Sequence, residues 1–347
     1  MDRAQRGAGL GSLTRPRCGH AVFALPGLLL LLAAAAAAES CLTAGDLDAA
    51  TRGSLEGAAA QYFRAAAAGD TAWLRQNSAP AMAADLAAVE AALSARQGDL
   101  RGAQAQVRAL YLLDAPGDTP IQRAEFFCGI FGASGHTATS ASFVLYNLPP
   151  GRYALAVQDV RGGKTPLTLS LMLQQAAGQW KLAGFYLRPA EIAGRDAAAF
   201  LAQARDFKTR GQTRNAWFYY LTAWSLGAPV DFISTQQLDR ISEEMQPLRP
   251  ADLPTREQPL ELASGGRSFR LTDMFAVPVE DGLDLVVKYP VASIADRRRA
   301  DQDNHAVIGA LLARYPELRD AFQGVVARAV EPGGTDFGTL VAMKDVK

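Results

Sequence analysis

Gly178–Pro189 reads GQWKLAGFYLRP, in which Trp180, Leu182, Gly184 and Tyr186 alternate with Lys181, Ala183, Phe185 and Leu187. A period of two belongs to a strand, because successive side chains leave a pleated backbone on opposite faces. Apolar residues in both sets predict a strand with both faces partly covered. Upstream, short apolar runs follow one another: LTLSLMLQQ (167–175), RYALAVQDV (152–160), SASFVLYNL (140–148) and AEFFCGIF (124–131). In LPPGRY (148–153), Pro150 presets φ and Gly151 supplies the positive φ of a type II turn, which predicts Leu148 and Tyr153 on neighbouring antiparallel strands. Five strands after a helical start predict an α+β fold, with N-terminal helices packed on a curved antiparallel sheet.

The helical start is read from Leu42 to about Leu113. In LEGAAAQYFRAAAAGDTAWLRQ (55–76), Leu55, Ala59, Tyr62, Phe63 and Ala66 share one helical stripe until Gly69 and Asp70 interrupt it. In MAADLAAVEAALSARQGDLRGAQAQVRALYLL (82–113), the packing positions are Leu86, Val89, Leu93, Leu100, Val107, Leu110 and Tyr111. The period switches near Ala115, where PGDTP (116–120) is turn chemistry.

On YFRAAAAGDTAWL (62–74) and GQWKLAGFYL (178–187), residues from about Leu55 to Pro189 resemble an NTF2-like (SnoaL-like) domain. The resemblance implies a cone enclosing an apolar pocket between helix and sheet; some members are enzymes and many are binding or assembly modules. Enzymatic members place an Asp with a His or Tyr in the cone, which here nominates Asp159 or Asp114 with His136 in the loop GASGHTATS (132–140). NLPPGRYALAV (147–157) is also similar to the turn and strand of prealbumin-like β-sandwich modules, leaving open a separate sandwich over 124–175.

The N-terminus carries Arg3, Arg6, Arg15 and Arg17, an apolar run that includes Leu28–Leu32, and six alanines ending at Ala38. Cationic start, apolar middle and small-residue end are the layout of a secretory signal peptide. Pro26 and Gly27 leave the uninterrupted run too short to span a bilayer. Residues 1–38 are therefore read as a cleaved leader and the protein as periplasmic or secreted, with lipidation of Cys41, as in a bacterial lipoprotein, as the alternative. Removal of Cys18 leaves Cys41 and Cys128, an even pair in a compartment that permits a disulfide.

After the strands, Phe200, Ala204, Phe207, Gly211, Ala216, Tyr220 and Ala223 fall on tetratricopeptide (TPR) spacing and predict one helical hairpin. NAWFYYLTAW (215–224) holds more aromatics than one helix face can bury, so Trp217 or Tyr219 is expected to meet another surface. QPLRPADLPTREQP (246–259) reads as a connector. Beyond it, SFRLTDMFAVPV (268–279), LDLVVKYPV (283–291), AFQGVVARAV (321–330) and TLVAMKDV (339–346) read as strands, and DQDNHAVIGALLARYPEL (301–318) as a helix. The organisation is a signal peptide (1–38), an NTF2-like domain (42–190), a TPR-like hairpin (191–246), a Pro-rich connector (247–262) and a C-terminal α+β domain (263–347).

The first 40 residues hold four basic and two acidic groups of the chain's 35 and 35, leaving 31 against 33, a net charge of −2. That balance gives no electrostatic case for nucleic acid or an acidic membrane face. RGGKTP (161–166) lacks the earlier glycine of a phosphate loop, since Gln158 stands there, and reads as a turn. DRRRADQD (296–303) is a solvated helix start, and Glu243 with Glu244 sit on a polar helix and need no role. No catalytic, metal-binding or cofactor-binding set is assigned. The function expected is a non-enzymatic binding or assembly module of the bacterial envelope, taking a protein partner or a small apolar ligand and touching membrane only if lipidated at Cys41; the alternative is a SnoaL-like cavity isomerase or hydrolase.

Overall fold

The computed structural model describes residues 39–130, 137 and 139–346, so the signal peptide assigned to 1–38 and the loop residue His136 lie outside the described residues. The described chain is a mixed α+β fold with eight α-helices and mostly antiparallel sheets. Its first half runs β1 (Ser40–Thr43), α1 (Ala49–Ala68), α2 (Thr71–Gln76), α3 (Pro80–Ala84), α4 (Ala87–Leu100), β2 (Gln104–Ala115), β3 (Ile121–Cys128), β4 (Ala141–Leu148), β5 (Gly151–Arg161), β6 (Leu167–Ala176) and β7 (Gln179–Pro189). The second half runs α5 (Ala197–Thr209), α6 (Thr213–Gly227), β8 (Ile233–Thr235), α7 (Gln236–Met245), β9 (Leu260–Ser264), β10 (Arg267–Leu271), β11 (Asp273–Val279), β12 (Gly282–Pro290), α8 (Arg297–Arg314), β13 (Gly324–Val330) and β14 (Asp336–Ala342). Among the described residues, no helix is long and apolar enough to cross a membrane.

Helix α1 forms where its signals place it. The Asp48 carboxylate accepts from the Thr51 amide at 2.9 Å, and Gly69, at φ 70°, turns the chain out of the helix. Its stripe of Leu55, Ala59, Tyr62, Phe63 and Ala66 is buried. The Tyr62 hydroxyl donates to the carbonyls of Asn77 (2.6 Å) and Trp180 (2.9 Å), fastening the helix to β7.

Residues 104–115, expected to continue a helix, are the strand β2. Leu110, Tyr111, Leu112 and Leu113 are all buried, which one helical stripe cannot achieve. In a strand covered on both faces, Leu110 and Leu112 enter the cluster beneath α1 and α4 while Tyr111 and Leu113 enter the cluster on the opposite face.

The five expected strands exist but do not form one sheet. The larger sheet has the order β1-β2-β5-β6-β7 and the smaller the order β3-β4-β8. Leu148 and Tyr153 are therefore not ladder neighbours. Leu148 pairs with Ile121, whereas Tyr153 pairs with Leu113 and Gln174, because β5 is occupied along both edges by β2 and β6. The turn between them changes sheets; Gly151 sits at φ 144°, and the Tyr153 hydroxyl donates back to the Pro149 carbonyl at 2.9 Å. The larger sheet is thus covered by α1–α4 on one face and by the smaller sheet on the other. RGGKTP is a turn, as expected, and Gly163 is pressed onto the end of α4: a Cβ there would lie 1.7 Å from the Asp99 carbonyl oxygen.

The hairpin α5–α6 opens on Asp196, which accepts from the Ala199 amide, and turns at Gly211 (φ 73°). SFRLTDMFAVPV is two strands, β10 and β11, in different sheets. Residues 260–264, of which 260–262 read as connector, pair as β9 with β10 through a turn made by Gly265 (φ 57°) and Gly266 (φ 75°), with Leu260 and Leu262 buried. The last sheet has the order β11-β12-β13-β14, and α8 links its parallel pair β12 and β13. Helix α8 starts at Arg297 with Asp296 as its cap, so the arginine run forms its first turn.

Candidate functional site

The aromatics of α6 divide between two directions. Ala216, Tyr219, Tyr220 and Ala223 face inward, where Tyr219 packs edge-on against Phe207 (4.9 Å between centroids) and leans on Phe200 (5.4 Å). The Tyr219 hydroxyl donates to the Ala321 carbonyl at 2.6 Å, so this residue, a candidate partner surface from sequence, is spent inside the fold. Trp217, Leu221 and Trp224, spaced i, i+4 and i+7, lie along the other side.

That side lines a groove of about 590 Å³, whose far wall is β11 with Met274, Phe275 and Ala276. Trp217 is mostly buried, while Leu221 and Phe275 are 37% and 38% exposed. An ion pair of Arg188 with Asp231 (2.8 Å) is part of the lining, and the Lys288 ammonium lies 5.3 Å from the Phe275 ring. The chemistry on offer is apolar contact with charge at the rim, which suits holding an apolar group out of water. Sequence periodicity could reach Trp217 and, by adding four, Leu221. Phe275 carries no such signal, since Trp217, Leu221 and Trp224 across the groove are 51–58 residues away in the chain.

Asp114 and Asp159, the alternative acids for His136, occupy different parts of the larger sheet. Asp114 pairs with Arg152 in the β2–β5 ladder and Asp159 with Gln106, so the two carboxylates stand near opposite ends of the sheet, about 25 Å apart at roughly 3.3 Å per residue. Asp159 is held by Arg108 at 3.4 Å and Asp114 is exposed.

Glu244, which needed no role on sequence grounds, has one. It accepts two hydrogen bonds from the Arg205 guanidinium (2.6 and 2.8 Å) and one from the Tyr220 hydroxyl (2.9 Å), joining α5, α6 and α7 behind the groove helix. The Arg205 hydrogen bonds hold its carboxyl below the usual range, and burial together with Glu244 pushes the Tyr220 phenol up to about 12. The connector is pinned in a similar way: Asp252 accepts from Arg214 and from the Tyr315 hydroxyl at 2.6 Å, with the Arg214 guanidinium stacked 3.7 Å from the Tyr315 ring centroid.

Cys41 and Cys128 form a disulfide, so the Cys41 sulfur is bonded to β3 and is not a free thiol for a lipid. Among the described residues, no group of three or more His, Cys, Asp or Glu side chains is placed to hold a metal ion. Comparison of the chain with protein-family models, with curated proteins and with solved structures gives no significant match.

Proposed function

We propose that this chain is an exported, non-enzymatic binding module of the bacterial envelope whose ligand is a small apolar molecule seated between α6 and β11. The observation that carries this reading is the groove itself. Two tryptophans and the part-exposed Leu221 and Phe275 line about 590 Å³, within the range of roughly 300–1,000 Å³ typical of small-molecule sites. Export is supported by the cationic, apolar and small-residue leader in the sequence and by the disulfide.

The same reading takes 42–190 as NTF2-like and α5–α6 as a single TPR-like hairpin. Support for the first is a run of helices lying on one face of an antiparallel sheet. The space between them is filled by Leu55, Ala59 and Tyr62 together with Leu169 and Leu171, which is why the ligand is assigned to the groove and not to a cone. A protein partner is the second reading, favoured by β11 being an edge strand along one wall of the groove.

Titration with Nile red, a neutral apolar dye, tests the proposal. Saturable binding that weakens about tenfold or more in Leu221→Asp supports it, since placing a charge in an apolar contact costs upward of about 1.4 kcal/mol. Equal binding by wild type and Leu221→Asp removes the groove as the site.

A further inference from the structure

A second cavity, of about 490 Å³, opens where β2 and β5 meet the start of α7 and one flank of α5. Three arginines from three separate elements line it: Arg108 on β2, Arg205 on α5 and Arg240 on α7. Arg108 is the extra residue of a β-bulge, since Val107 pairs with Gln158 and Ala109 with Val157 and nothing pairs with the residue between. A bulge re-aims a side chain and bends its strand, and this one sets Arg108 in the cavity wall.

The balancing carboxylates stand behind the wall. Asp159 holds Arg108 at 3.4 Å and Glu244 holds Arg205 through two hydrogen bonds, but neither carboxylate lines the cavity. Arg240 has no carboxylate partner among the described residues. Three guanidiniums against two carboxylates leave one positive charge unmatched, and all three arginines are in the lining. The rest of the wall is apolar where it is deep, with Tyr111, Val157 and Ile233, and uncharged polar at Gln236 and Gln237 in the first turn of α7. First-turn amides lack intrahelical acceptors and add to the preference for negative charge.

We infer that this cavity binds an amphiphilic acid: an apolar body carrying one carboxylate or phosphate head, the body against Tyr111, Val157 and Ile233 and the head between Arg108 and Arg240. Guanidinium forks match the two-oxygen geometry of such heads, and low-dielectric walls focus the field on them. The site is separate from the α6–β11 groove and stands or falls independently of the role assigned there.

The test is calorimetric titration of the purified protein with octanoate, octyl phosphate, n-octanol and octylammonium, which share one apolar chain. Binding of octanoate or of octyl phosphate, with octylammonium silent, is the expected result, and whichever acid binds tighter identifies the head. Arg240→Gln and, separately, Arg108→Gln should each weaken the acid by about tenfold or more, the equivalent of one lost charge-assisted hydrogen bond, and leave n-octanol unchanged. Both side chains are exposed, so the variants should keep the wild-type unfolding midpoint. Octylammonium binding as tightly as the acids, neither acid binding, or acid binding unchanged in both variants would overturn the assignment.

Discussion

Cys41 on β1 and Cys128 on β3 join the edge of the five-stranded sheet to the edge of the three-stranded sheet, with their Cα atoms 4.8 Å apart and a sequence separation of 87. No hydrogen-bonded ladder connects the two sheets, so the bond fixes an edge that side-chain packing alone would otherwise hold. In the chain-entropy account, closing a loop of that length restricts the unfolded chain enough to stabilise the fold by about 4–5 kcal/mol. Urea unfolding of Cys41→Ser/Cys128→Ser should therefore show a midpoint well below that of the oxidised wild type. Coincident curves would mean that the packing of Tyr111, Phe126 and Phe143 holds the sheets together without the bridge.

The Arg205–Glu244–Tyr220 cluster predicts a dependence on pH. Arg205 lowers the Glu244 pKa in the folded protein from its ordinary 4.5. A depressed carboxylate contributes stability that is complete above its unfolded pKa and lost as pH falls through the lower folded value. Its contribution should thus be constant near neutrality and fade below about pH 4.5. Glu244→Gln should lower stability at pH 7 by about 1 kcal/mol or less, as befits a partly exposed pair, and should narrow its gap to wild type at pH 3. Thermal melts at the two pH values check this, and an equal gap at both would contradict it.

Two glycines should respond to alanine in opposite directions. At Gly163 the added Cβ meets the Asp99 carbonyl oxygen at 1.7 Å, and the backbones of α4 and the β5–β6 turn must part to admit it. A loss of about 3 kcal/mol or more is expected. Gly57 lies within α1 with nothing inside 4 Å of its virtual Cβ, so Gly57→Ala should stabilise by up to about 1 kcal/mol. Denaturant midpoints of the two variants read both signs, and a destabilised Gly57→Ala would show that this face of α1 is in contact with something.

What the sequence made legible was local. The Leu55–Ala66 stripe and its stop at Gly69, the Asp196 cap and the Gly211 turn, and the strands from β3 to β7 all follow from spacing and turn chemistry within a few residues. The Cys41–Cys128 pair followed from having two cysteines left once residues 1–38 are read as a cleaved leader. Three features were not legible because they depend on distant residues. Strand β2 buries four consecutive apolar residues only because covers arrive on both faces, the split into two sheets is decided by which partner claims β5, and β9 stands directly after a proline-rich stretch. For the groove, surplus aromatics pointed to Trp217 and to Tyr219; the surface that Tyr219 meets lies within this chain, where its hydroxyl finds Ala321 102 residues away. Arg108 gave no sign, since a bulge is a property of two strands together.

Tryptophan fluorescence tests the binding assignment most directly. The chain has four tryptophans. Trp217 and Trp224 line the α6–β11 groove, while Trp73 and Trp180 stand beside Tyr62 of α1. A bromine atom quenches an indole only at contact, so titration with neutral 1-bromooctane reports which pair meets an apolar ligand. Saturable quenching in the wild type that disappears in Trp217→Phe/Trp224→Phe is the result the groove predicts. Quenching that survives undiminished in that variant would place the ligand beside Trp73 and Trp180, between helix and sheet, and contradict it.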